Sequence, residues 1–486
     1  MQPYLIIAVI LGYFLLLIAL SRWTSKRGNN ADFFIGSRQS PWYLVAYGMI
    51  GASLSGVTFL SVPGWVASSS FSYMQMELGY FLGYLTIAFV LLPAYYRLNL
   101  TSIYGYLEER IGHSARLSGS AYFLLSRVIG ASFRLYLVAL VLQLFLFDAW
   151  DMPFWFTVMV TILLIWVYTF RGGIRTIVFT DTLQTTFLLL AAVLSVFWLK
   201  GELIPAGQSL VGYISHSSMS RIWFFEDAAD TRFFWRQFFS GALITIVMTG
   251  LDQDMMQKNL SCRNLREAQR NMLWFSVILI GVNLVFLSLG VLLYDYAEVN
   301  GIAAQGDELF PTVIFESADK PWLLIVFLVG LVAAAYSSAD SALTALTTSF
   351  CVDILGIVGE VGRTTRILVH MFFSVLLMAV VMVFYYVIQD EHVIENLFRA
   401  AGFTYGPLLG MFTYGLLRSR TNRLHIWYVP VVCLVAPLLS WSIDAWLARD
   451  YGFKLGFEVL ALNGALTWLM LEVGAAFSKA STTGIS

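Results

Sequence analysis

Four oxygen-bearing side chains, Ser337, Asp340, Ser341 and Thr344, recur at i, i+3, i+4 and i+7 inside an otherwise apolar stretch at 321–350. On a helix this spacing lines up one face, so a polar stripe with a carboxylate runs along an apolar element. Hydroxyls, carbonyls and one or two carboxylates suit hard cations rather than zinc or copper, and their partial charges match sodium better than calcium. Hydroxyls bonding back to their own helix would explain the serines but not Asp340. A second group of small and hydroxylated residues, Gly51, Ser53, Ser55, Gly56, Thr58, Ser61, Pro63 and Gly64, interrupts 42–67. Close helix packing through small residues is one reading of it. The other is a discontinuous helix whose unwound carbonyls coordinate a cation and whose half-helix ends face a substrate. The stripe at 321–350 speaks for the second. In a third segment, Arg171 and Arg175 read as membrane-surface anchors, while Asp181, Gln184 and Thr185 lie further in on one face. A carboxylate inside a membrane is costly enough to be functional by default.

Arg127, Gly130 and Arg134 are spaced i, i+3 and i+7 and share a face of 118–147. In one reading Arg127 snorkels inward and Arg134 pairs with Asp181, Asp252, Asp254 or Asp340. In the other the two arginines recognise an anionic solute. Asp252 and Asp254 read as ion-pair partners of the basic segment 258–270, with inner gating as a second role. Three cysteines, Cys262, Cys351 and Cys433, are too few and scattered for a disulfide framework or zinc site. Trp42, Trp65 and Trp150 read as interfacial belt residues.

The elements that position these groups follow from composition. The chain has 486 residues, 59% hydrophobic and 12% charged, with a mean hydropathy of +0.75. Soluble domains carry about twice that charge, so the class is a polytopic all-α membrane protein. A net charge of −1 leaves no basic footprint for nucleic acid. Windows able to cross about 30 Å of hydrocarbon fall at 3–21, 42–67, 77–97, 118–147, 153–170, 176–199, 236–257, 272–295, 321–350, 367–388, 394–417, 425–446 and 455–477, thirteen in all. The first lacks a signal peptide's basic start and cleavage site, so it reads as a helix. With the N-terminus outside and the C-terminus cytoplasmic, most of the 29 Lys and Arg residues, Lys258 among them, fall in cytoplasmic segments. The loops 200–236 and 296–320 read as short outer lids. No Walker A motif is present and the tail after 477 is too short for a nucleotide-binding module, so a gradient is the expected energy source.

Together these residues resemble the sodium/solute symporter family, which includes bacterial proline, sugar and sialic-acid carriers. The resemblance runs from Asp32-Phe33-Phe34-Ile35-Gly36-Ser37-Arg38 through the last cytoplasmic loop. Its most specific part is Gly172-Gly173 followed by Thr180-Asp181 and Gln184. Ala334 with Ser337-Ser338, and Gln253 and Gln257 with Glu267-Ala268-Gln269 after them, add to it. The resemblance implies a LeuT-type core of two inverted five-helix repeats, with one helix before and two after. Applied here, 1–41 is the extra N-terminal part, 42–199 the first repeat, 200–235 an outer loop, 236–417 the second repeat, and 418–486 two C-terminal helices with a short tail. The broken helices would be those at 42–67 and 236–257.

The resemblance also implies a sodium site of the Gly51, Leu54 and Ala334 carbonyls with the Ser337 and Ser338 hydroxyls. Asp181 resembles the carboxylate near a second, inner sodium site or exit path, with Ser341 and Ser337 opposite and Asp340 next to them. Position 340 is a hydroxyl in members with a well-defined second site. Asp340 therefore either strengthens that site or pairs with an arginine and abolishes it, leaving one or two sodium ions. Glu77 aligns with the residue that hydrogen-bonds sugars in sugar-carrying relatives, and Ser53 and Thr58 line the same cavity. Thr245 and Met248 replace the amide and aromatic that hold a sugar there, and no lysine stands at the matching place in 272–295. Gly130 falls where sialic-acid carriers keep an arginine, a place Arg134 can reach. The expectation is a sodium-coupled importer of a sugar, sugar acid, carboxylate or amino acid in a bacterial inner membrane, with no obligatory protein partner. Sodium would favour an outward-open state and solute would close the outer lids. A transporter-like sensor, a passive channel and an intramembrane hydrolase are the rivals. Neither an output domain nor a nucleophile–base pair supports the first or the last.

Overall fold

The computed structural model describes residues 3–24, 34, 36–169, 173–317, 320–357, 362–387, 393–418, 424–453 and 455–483. Asp32, Phe33, Ile35, Arg171 and Gly172, which carry part of the resemblance, lie outside these residues, as do Lys26, Arg27, Arg420 and Arg423.

Apolar runs without internal polar breaks give long helices, and the breaks fall where the sequence turns small or polar. In chain order these are α1 (Pro3–Thr24), α2 (Trp42–Ser53), α3 (Gly56–Ser69) and α4 (Tyr73–Thr86), the last continuing through a π-turn to Arg97. After them come α5 (Gly105–Arg110), α6 (His113–Leu142), α7 (Phe154–Thr169), α8 (Gly173–Leu203) and α9 (Leu210–His216). Next are α10 (Phe234–Thr245), α11 (Gln253–Leu260), α12 (Leu265–Asn300), α13 (Leu309–Glu316) and α14 (Pro321–Ser349). Four helices close the fold: α15 (Arg363–Val387), α16 (Val393–Leu417), α17 (Tyr428–Tyr451) and α18 (Val459–Thr483). Among the described residues, eight helical stretches are long and apolar enough to cross a membrane, and Ala8–Thr24 and Phe154–Thr169 are shorter apolar helices.

α14 is the central post. Every residue from Gly330 to Ser349 is buried, and the helix packs against α8, α6 and α2. Gly51 lets α2 approach α8 closely, since a β-carbon there would sit 2.2 Å from the Thr185 hydroxyl. At the other end of the broken pair, Gly64 admits the chain at Gly306, and the Tyr294 hydroxyl donates to the Gly64 carbonyl at 2.6 Å. The segments expected as lids are thus pinned down. Phe71 N–H donates to the Arg221 carbonyl at 3.0 Å, and Gln75 bridges the Phe224 N–H and the Arg232 carbonyl.

At the opposite end, Arg116 donates to Asp353 at 3.0 Å, to Glu108 at 2.6 Å and to the Val352 carbonyl at 2.7 Å. Ser102 and Ser349 also donate to Asp353. This network ties α5 and α6 to the end of α14.

Candidate functional site

The site begins with a missing turn of helix. Leu54 (φ −80°, ψ 81°) and Ser55 (φ −77°, ψ 178°) leave the helical region between α2 and α3. In an unbroken helix the Ser55 N–H would bond the Gly51 carbonyl; here it donates to Ser53 at 3.1 Å. The first helical bond of α3 runs from Phe59 N–H to the Ser55 carbonyl, so the Leu54 carbonyl stands ahead of the ladder. Both carbonyls are thereby released from helix bonding. α14 faces this gap, with the Ser338 hydroxyl 3.5 Å from the Ala52 carbonyl and Ala334 one turn earlier on the same helix.

A second break, between α10 and α11, is finished differently. A π-turn at Ile246–Gly250 leads to Leu251 and an extended Asp252. Here the Tyr95 hydroxyl donates to the Gly250 carbonyl at 2.9 Å, and Tyr104 to the Leu251 carbonyl at 3.0 Å. Asp252 caps α11 through the Asp254 and Met255 N–H groups. The second break has its carbonyls satisfied by tyrosines, whereas the first faces a serine of α14.

The stripe on α14 is buried and meets α8 as its spacing demands. Ser337 donates to Asp181 Oδ1 at 2.7 Å, and the Tyr168 hydroxyl donates to Asp340 Oδ2 at 2.9 Å. Asp340 Oδ1, Ser341 Oγ and Thr344 Oγ1 have no hydrogen-bond partner among the described residues. One participant was misread from sequence. Lys258, expected as a cytoplasmic anchor, is 1% exposed and lies 2.7 Å from Asp181 Oδ2. It lies in the last turn of α11, a helix whose every residue from Gln253 to Leu260 is buried.

Beside the first break lies a cavity of about 80 Å³, lined among others by Ser53, Thr58, Arg134, Thr245 and Met248. Five residues expected at the solute are thus brought together. Glu77 is not on that wall: it is buried behind Tyr73, Tyr80 and Tyr84 and accepts from Asn283 Nδ2 at 2.6 Å. Asn283 is a buried polar group that α12 supplies within 272–295, where no lysine stands.

The arginines divide their work. Arg127 is ion-paired with Asp254, with Asp252 3.9 Å away, and the Tyr405 hydroxyl donates to Asp252 at 2.6 Å. The aspartates therefore pair with α6 rather than with the basic segment 258–270, because α11 turns them toward the bundle interior. Arg134 has no ion pair among the described residues and its Nε is unpartnered. Its guanidinium lines the cavity as a free cation.

A larger cavity of about 510 Å³ lies at the end of the bundle where α3 stops and α10 starts. Trp65, expected at a lipid interface, lines this vestibule instead; Tyr73 lines the smaller cavity. The two rings meet edge to face with centroids 5.9 Å apart, an aromatic partition between the chambers. The motif glutamines act as cross-links. Gln253 joins the Thr101 carbonyl and Ile103 N–H, Gln257 holds the Phe34 carbonyl and Thr348, and Gln269 donates to the Ala88 carbonyl.

A family model described as the sodium:solute symporter family matches residues 33–424. The chain is 25% identical to the sodium/sialic acid symporter SiaT of Proteus mirabilis, over 95% of this chain and 92% of that one. It is 26% identical to the sodium/sialic acid symporter NanT of Aliivibrio fischeri, over 96% and 95%. A solved Na+-coupled sialic acid symporter in a substrate-bound outward-open state superposes with a TM-score of 0.79 at 20% identity, covering 97% of this chain and 98% of that one. That last likeness is one of fold.

Proposed function

The chain belongs to the sodium:solute symporter family, and from that premise we propose that its solute is a small carboxylated molecule gripped by Arg134. Membership makes it a multi-pass membrane transporter, a sodium-coupled secondary active symporter of a small solute rather than an enzyme. The observation that carries the solute class is the Arg134 guanidinium, which lines the central cavity beside Ser53, Thr58 and Thr245 without a carboxylate of its own. A cation left unpaired in apolar surroundings is costly unless an anion arrives to meet it. The hydroxyls around it suit a polar body behind the carboxylate. The sialic acid named for the two bacterial relatives has that chemistry.

Sodium binds where the Gly51 and Leu54 carbonyls leave the ladder, completed by the Ala334 carbonyl and the Ser337 and Ser338 hydroxyls. The contrast with the tyrosine-capped second break supports this choice. A five-oxygen shell without a full carboxylate holds its ion weakly enough to release it. Thirteen spans in a bacterial inner membrane, with the N-terminus outside and two inverted repeats at 42–199 and 236–417, complete the proposal. The bias of basic residues and the position of each break in the first helix of its half support it.

The test is uptake into proteoliposomes, with and without a sodium gradient, of sialic acid, short carboxylates and neutral sugars. The expected result is sodium-driven uptake of a carboxylated solute. Arg134→Gln should raise its KM roughly tenfold to a hundredfold, the size of a lost charge-assisted hydrogen bond. Uptake by Arg134→Gln at the wild-type KM would sink the assignment.

A further inference from the structure

We infer that Lys258 is a tethered cation: its ammonium fills the place beside Asp181 that a second sodium ion would take, so the chain binds one sodium ion. This rests on the reading of the chain as a sodium-driven symporter and specifies its coupling ratio.

The geometry is that of an ion site already filled. Lys258 Nζ lies 2.7 Å from Asp181 Oδ2 as an ion pair, and Ser337 donates to Asp181 Oδ1 at 2.7 Å, so each carboxylate oxygen faces a group of this chain. The two charged side chains are each 1% exposed. A carboxylate that deep needs a countercharge, which either a dissolved cation or the chain itself must supply. An ammonium and a sodium ion carry the same charge, and a covalently attached one does not diffuse away. A sodium ion placed beside the ammonium would meet an unscreened like charge.

Lys258 is also free to do this. Its local partner on α11 would be Asp254, four residues earlier on the same helix face. Arg127 of α6 takes Asp254 instead, with Asp252 beside it. The positive charge of α11 is therefore directed at α8. The other carboxylate of the cluster, Asp340, accepts from the Tyr168 hydroxyl at 2.9 Å. The proposed sodium site at the α2–α3 break shares Ser337 with this cluster, while its other hydroxyl, Ser338, reaches the Ala52 carbonyl.

Equilibrium dialysis of the purified full chain against radioactive sodium, with no solute, counts bound ions directly. One ion per wild-type chain is expected. Lys258→Gln, which uncovers Asp181, should bind two, and Lys258→Arg, which keeps the charge, should bind one. The pair Asp181→Asn with Lys258→Gln removes charge and countercharge together, and should fold and bind one ion. Two ions on the wild type overturn the inference, as does a folded Lys258→Gln that stays at one. Loss of the single ion from the neutral pair does so too, since Asp181 would then be a ligand. No sodium bound by any of the proteins would instead contradict the symport reading.

Discussion

Arg127 and Arg134 stand two turns apart on the same helix face, and their surroundings set opposite expectations for mutation. Arg127 is buried against Asp254 and Asp252, so removing one partner leaves a charge stranded in the bundle. Asp254→Asn should cost about 3–5 kcal/mol and lower the thermal midpoint in detergent. Arg134 satisfies no carboxylate among the described residues, so Arg134→Gln should leave the stability within about 1 kcal/mol of wild type, or raise it slightly. Equal destabilisation by the two would contradict the division of roles. At this scale the sequence already singled out Asp181, Asp340 and Arg134, because a charge in an apolar run is conspicuous. Lys258 was not legible. It follows a polar run and precedes a basic loop, and only the three-dimensional course of α11 turns it from a surface anchor into the partner of Asp181.

Among the elements, the two breaks differ in what closes their carbonyls, and that separates folding from ion binding. Tyr104→Phe strips the hydroxyl from the Leu251 carbonyl and should cost about 1–3 kcal/mol of stability while leaving the apparent sodium affinity unchanged. Ser338→Ala should do the reverse, weakening sodium-driven uptake about tenfold or more at near-wild-type stability. A sodium titration of uptake together with a melting curve for each variant checks both. The first break was readable because Gly51, Ser53, Ser55 and Gly56 crowd an apolar helix. The second, around Met248–Asp252, lacks that signature, because its irregular backbone is paired with tyrosines from the distant segments at 95 and 104. Nothing local marks those partners. The same is true of Glu77: its acidity was visible, but its capture by Asn283 depends on how α12 packs against α4.

For the molecule as a whole, a polar tie gathers one end of the bundle, and two chambers separated by an aromatic pair lie away from it. Arg116 with Asp353, Glu108 and Ser102 holds α5, α6 and α14 together at one end, and the vestibule stands at the opposite end. The proposed sodium site at the first break and the cavity proposed for the solute share the α2–α3 junction, so binding at the two should be linked, and linkage is reciprocal. Whatever factor sodium adds to solute affinity, solute should add to sodium affinity, measured by titrating each at saturating and zero levels of the other. Unequal factors would mean that the two sites do not bias the same equilibrium.

The Trp65–Tyr73 partition has a pharmacological consequence. The roomy chamber of about 510 Å³ is lined by Trp65 and the tight one of about 80 Å³ by Tyr73. A compound shaped to the roomy chamber has no need to imitate the cargo. By wedging against Trp65 it would hold the rings in place and stop the carrier while the tight chamber stays vacant. Inhibition of that kind would not be relieved by flooding the protein with its own solute.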